Sequence, residues 1–124
     1  MITASLNLIE TQIIFLYKSP QMSDSNLTSC LNQELIPFLI PSKQLVIIGD
    51  FNIDTSLKHH IVNKLCDMFS CKMLINECTT DHMSMLDLVF SNVDFSNVDD
   101  AVTVGTCETY WSDHKIVFLH MKAT

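Results

Sequence analysis

The chain has 124 residues, 48% of them hydrophobic and only 17% charged, against about 25% charged in an average soluble domain, and its net charge is -7, with seven lysines and no arginine. That length suits one domain with one core, and no run reaches the roughly 18 apolar residues of a membrane span. An acidic chain without arginine excludes a protein that holds nucleic acid by a basic surface alone, although carboxylates suit a phosphodiesterase whose cation reverses the local field.

Residues Ile2 to Leu8 alternate loosely, Glu10-Thr11-Gln12 interrupts, and Ile13-Ile14-Phe15-Leu16-Tyr17 is an apolar run, so two strands joined by a polar turn are expected. Lys18-Ser19-Pro20 ends the second strand, because proline cannot donate to a sheet ladder. Ser23-Asp24-Ser25-Asn26 offers several N-caps, after which Leu27, Cys30, Leu31, Leu35 and Phe38 recur at helical spacing. Pro37 lies inside that stretch and is expected to end or kink the helix.

Leu45-Val46-Ile47-Ile48-Gly49-Asp50-Phe51-Asn52 follows, and it organises the rest. An aliphatic run without polar partners predicts a strand buried on both faces, and polar side chains at its end are rigidly supported. Asp50 and Asn52 are two apart, so in an extended chain they project to one side, an arrangement suited to activating water and holding a phosphate oxygen. An Asx-rich turn would produce the same four residues, and this stretch alone leaves both readings open.

Asp54-Thr55-Ser56 can cap a second helix with Leu57, Ile61, Leu65, Met68 and Phe69 on its apolar face. His59 and His60 are adjacent on it and diverge around the helix, which suits a solvated surface better than joint chelation. A polar loop from Asn76 to Ser84 leads into Met85-Leu86-Asp87-Leu88-Val89-Phe90-Ser91, an apolar strand with one carboxylate that needs a partner or a task. Asp94 to Asp100 reads as a loop, Ala101-Val102-Thr103-Val104 as a strand, and Lys115 to Met121 as a closing strand after Tyr110-Trp111-Ser112-Asp113-His114. The order β-β-α-β-α-β-β-β predicts an α/β or α+β layered domain, a mixed sheet with two helices on one face.

The five cysteines, Cys30, Cys66, Cys71, Cys78 and Cys107, are odd in number and fit no zinc spacing, which favours reduced thiols. No basic segment followed by an apolar stretch opens the chain. The expected setting is intracellular, nuclear or cytoplasmic, neither secreted nor in a membrane.

Three polar sites therefore stand on apolar strands: Asp50 with Asn52, Asp87, and Asp113 with His114. Their order, Gly49-Asp50-Phe51-Asn52, then Ser84-x-x-Asp87-Leu88-Val89-Phe90, then Ser112-Asp113-His114, resembles the endonuclease/exonuclease/phosphatase superfamily. The wording is most similar to endonuclease domains of transposable elements, LINE-type retrotransposons or some Helitrons. Leu16-Tyr17-Lys18-Ser19-Pro20 is similar to the family's Tyr-Arg-x-Pro segment, with lysine in place of the usual arginine.

The resemblance implies in-line hydrolysis of a DNA phosphodiester assisted by magnesium or manganese. On that basis Asp50 orients or deprotonates the attacking water, Asn52 holds a phosphate oxygen, and His114, paired with Asp87, stabilises developing charge. Asp113 lies by the metal, and Tyr17 and Ser84 contact the phosphate. It also implies that residues 1–124 form a single partial domain, the second half of a four-layer α/β/β/α sandwich. The metal-binding Glu of the first half has no counterpart: Glu10 lies in a turn and Glu34 on a helix. The expectation is a truncated endonuclease with weak metal binding and little or no activity alone. Half a sandwich would expose the sheet face that otherwise meets its twin, inviting a separate N-terminal half or self-association. The alternatives are a non-catalytic interaction remnant and a phosphatase acting on a phosphorylated lipid or inositol.

Overall fold

The computed structural model describes residues 1–7, 10–53, 59–74, 87–92, 102–107 and 116–121, with the backbone alone for residues 59, 102–107 and 116–121. Seven strands and two helices are described: β1 (Ile2–Asn7), β2 (Thr11–Tyr17), α1 (Asp24–Cys30), β3 (Gln44–Asp50), α2 (His59–Phe69), β4 (Lys72–Met73), β5 (Asp87–Ser91), β6 (Val102–Cys107) and β7 (Ile116–Met121). Five form a mixed sheet in the order β1-β2-β3-β5-β4, while β6 and β7 pair as an antiparallel hairpin. The mixed α/β expectation holds, with one addition, the two-residue strand β4, too short for any periodicity to mark it.

The helical stretch after β2 shows what Pro37 does. Ser23 is the N-cap of α1, its hydroxyl accepting from the Asn26 amide at 3.2 Å. The α-helix then gives way to a π-helical turn over Leu31–Leu35 and a 3-10 turn over Ile36–Phe38, with Pro37 at its start. Proline has no N–H to continue the α-helical ladder and its ring crowds the preceding turn, so the winding changes before it. Leu27, Leu31 and Leu35 remain buried through the change.

Side chains two apart share a sheet face, and residues directly opposite on neighbouring strands share it too. Ile14, Leu16, Ile47, Leu88 and Phe90 form one such face, and they lie in a single buried cluster with Leu27, Leu31 and Leu35 and with Ile61, Leu65 and Phe69 of α2. Gln12 lies on that face as well. Its sequence neighbours suggest a turn, but it belongs to β2 and is buried, donating to the Phe38 carbonyl at 3.2 Å and accepting from the Ile40 amide at 3.0 Å. Both ends of the carboxamide are satisfied, which is the condition for burying it.

The opposite face is buried only in part. Val46, Val89 and Ser91 are buried, whereas Ile2 and Leu6 of β1 and Phe15 and Tyr17 of β2 are exposed. β1 is an edge strand exposed along its whole length. Register places Ile2, Ala4 and Leu6 opposite Tyr17, Phe15 and Ile13, so these side chains make one continuous apolar strip. Most soluble domains do not leave such a strip on an open sheet face.

Among the described cysteines, Cys30, Cys66 and Cys71 are free. Burial pushes the Cys71 thiol up to about 11, and desolvation also raises that of Cys66. Both are neutral thiols at physiological pH, without the electropositive surroundings of a nucleophilic cysteine. No helix among the described residues is long and apolar enough to cross a membrane.

Candidate active site

The carboxyl ends of the parallel strands β2 and β3 lie side by side, and β5 enters antiparallel beside β3. Tyr17 is the register partner of Asp50, and Asp50 is the partner of Asp87. Three of the residues singled out by sequence therefore stand in one row across three adjacent strands, on one face. Strand ends of this kind, at the carboxyl side of parallel neighbours, are where open α/β sheets hold ligands.

Asp50 and Asp87 are both half-buried and directly opposite. Their oxygens are hard donors of the kind magnesium takes, and magnesium is commonly held by one or two carboxylates together with waters and substrate phosphate. The pair fits such an ion in chemistry. Among the described residues no group of three or more His, Cys, Asp or Glu could hold a metal. Ser84, Asp113 and His114, the remaining predicted site residues, lie outside the described residues.

Gly49 is dictated by the closeness of β2. A Cβ placed on it would lie 1.8 Å from the carbonyl oxygen of Leu16, its register partner. Only glycine lets the two strands meet one step before Tyr17 and Asp50.

Past Asp50 the chain leaves the sheet. The expectation that Asp50 and Asn52 project together from an extended strand is not met, because Asn52 has a φ of 46°, a left-handed conformation that asparagine tolerates better than most residues. Its amide donates to Asp50 Oδ1 at 2.9 Å, and its side-chain nitrogen donates to the Lys18 carbonyl. That leaves one side-chain N–H for other acceptors. Both readings of Gly-Asp-Phe-Asn are thus present at once: Asp50 sits at a strand end, and an Asx turn follows it.

Two residues here carry weight that the sequence does not signal. Phe51 is fully buried, its ring edge-on to Phe90 with centroids 5.5 Å apart and planes at 67°. Lys18 is 2% exposed. A lysine closing a strand is ordinarily solvated, and no periodicity marks this one as buried.

No protein-family model and no curated protein matches the chain. Solved structures do match. It aligns with CdtB, the biologically active subunit of cytolethal distending toxin, at TM-score 0.60 and 12% identity, over 97% of this chain and 51% of that one. The Haemophilus ducreyi cytolethal distending toxin aligns at TM-score 0.58 and 11% identity, over 98% and 52%. An endonuclease/exonuclease/phosphatase family protein from Leptotrichia buccalis aligns at 0.53 and 16%, over 98% and 53%. The chain has the endonuclease/exonuclease/phosphatase fold in part, spanning about half the length of each of these structures.

Proposed function

We propose that the chain is the second half of a DNA phosphodiester-hydrolysing domain of the mobile-element type, with little activity alone. The observation that carries this is the row Tyr17, Asp50, Asp87 at the strand ends. In this reading Asp50, oriented by the Asn52 amide, takes a proton from the attacking water, and the remaining Asn52 N–H and the Tyr17 hydroxyl donate to phosphate oxygens. His114, oriented by Asp87, balances the charge developing on the phosphate. Asp113 would lie by a magnesium or manganese ion, which when bound polarises a phosphoryl oxygen. The general resemblance of the motif order to nucleases, and the shared fold, support this assignment.

Nicking of supercoiled plasmid in magnesium or manganese tests it. The expected result is slow, chelator-sensitive nicking that falls at least about tenfold in Asp50→Ala, the scale of losing one proton-transfer group. Metal-dependent cutting no greater than that of Asp50→Ala would sink the hydrolase reading.

The exposed strip of Ile2, Leu6, Phe15 and Tyr17 favours a second reading, a module that associates through this sheet face, with another copy or a separate first half. In sedimentation velocity the chain should then associate with rising concentration, and Phe15→Lys should restore a monomer. A chain monomeric at about 100 micromolar, well above the concentration at which a specific micromolar interface saturates, would count against association with itself.

A further inference from the structure

Lys18 follows Tyr17 at the end of β2, and three bonds join it to the motif on β3. Its amide donates to the Asp50 carbonyl at 2.9 Å, its carbonyl accepts from the Asn52 side chain, and its ammonium donates to the Asn52 carbonyl at 3.4 Å. Asn52 is thus gripped by its side chain and by its main chain from the same residue. In turn Asn52 holds one oxygen of the Asp50 carboxylate.

The main-chain part of this clamp would form with any side chain at position 18. The ammonium would not be placed there for stability, because a buried charge must be desolvated and an apolar residue of similar length is usually neutral or better for folding. Lys18 is nonetheless among the largest fully buried side chains described.

We infer that Lys18 is a positioning residue: its buried ammonium fixes the Asn52 main chain in its left-handed turn and, through the Asn52 amide, sets the orientation of the Asp50 carboxylate. This rests on the proposed hydrolytic site for its purpose, but the clamp itself is measurable without any activity.

The test is amide hydrogen exchange by NMR on Lys18→Met and Lys18→Arg. In Lys18→Met the Asn52 amide should exchange at least about tenfold faster, while Ile14 and Ile47 in the strands keep their protection and the urea midpoint is unchanged or higher. Lys18→Arg should keep Asn52 protection within about threefold, the charge being retained. Uniform acceleration at Ile14, Ile47 and Asn52 would make Lys18 merely structural, and unchanged exchange at Asn52 would show that the ammonium positions nothing; either overturns the inference. Should Lys18→Met not fold, Lys18→Gln, which removes the charge and shortens the arm, carries the same comparison. Plasmid nicking is read separately: loss of the hydrolase reading by the Asp50→Ala comparison leaves the exchange result standing, and the reverse holds as well.

Discussion

Gly49→Ala should be the most damaging small substitution in the chain, costing about 3–5 kcal/mol where inserting one methyl group into a packed core ordinarily costs less. The reason is what the methyl would meet. The new Cβ would lie 1.8 Å from the Leu16 carbonyl oxygen, 2.8 Å from its carbon and 2.9 Å from its nitrogen, all backbone atoms that no rotamer change can move aside. Relief requires β2 and β3 to separate, and these are the middle strands of the sheet's parallel pair. The next register pair is Tyr17 with Asp50, so the same separation would pull the candidate site apart. Against a native stability of about 5–15 kcal/mol, the substitution brings the chain close to unfolding. Urea denaturation followed by far-ultraviolet circular dichroism measures it, with the midpoint falling and the slope preserved. A loss below about 1 kcal/mol would mean that the two strands part at Gly49 without consequence, contrary to the contact distances.

How far the sequence reveals this site depends on whether the information is local. Hydrophobic periodicity and proline placement are local, and they locate β1, β2, α1, β3 and the kink at Pro37 within a few residues. Register is not local. Nothing in the order of residues says that Asp87 pairs with Asp50 rather than with Ile48 two positions away, since both alignments keep the same face. Nor does composition tell a buried lysine from a solvated one: Lys18 is marked only by contacts with Asn52, 34 positions on. Gln12 is the converse case, a polar residue from an apparent turn that is admitted to a strand interior because Phe38 and Ile40 satisfy its carboxamide. The exposed strip on β1 and β2 was legible as an excess of apolar residues over charge, although only the fold shows which face carries it.

Phe51→Ala should cost about 3–5 kcal/mol, the range for emptying a fully buried aromatic site. Within Gly-Asp-Phe-Asn the phenylalanine separates the two polar residues, and in sequence it looks like a spacer. In the fold it is the anchor that carries the chain off the strand and under the sheet: it is fully buried, packs edge-on against Phe90 of β5, and lies between Asp50 and Asn52 in the chain. β5 also begins with Asp87, so this ring contact joins the chain just after Asp50 to the strand that carries Asp87. Phe51→Leu keeps most of the volume but loses the ring contact, and about 1–1.5 kcal/mol is the expected loss. A double-mutant cycle with Phe90→Leu isolates the ring pair, with a coupling of about 0.5–1.5 kcal/mol. If Phe51 positions the site as well as the core, Phe51→Leu will also speed amide exchange at Asn52 more than at Ile14, which lies on a strand separated from β5 by β3. Equal acceleration at both amides would confine Phe51 to the core and leave the clamp from Lys18 as the principal support of Asp50.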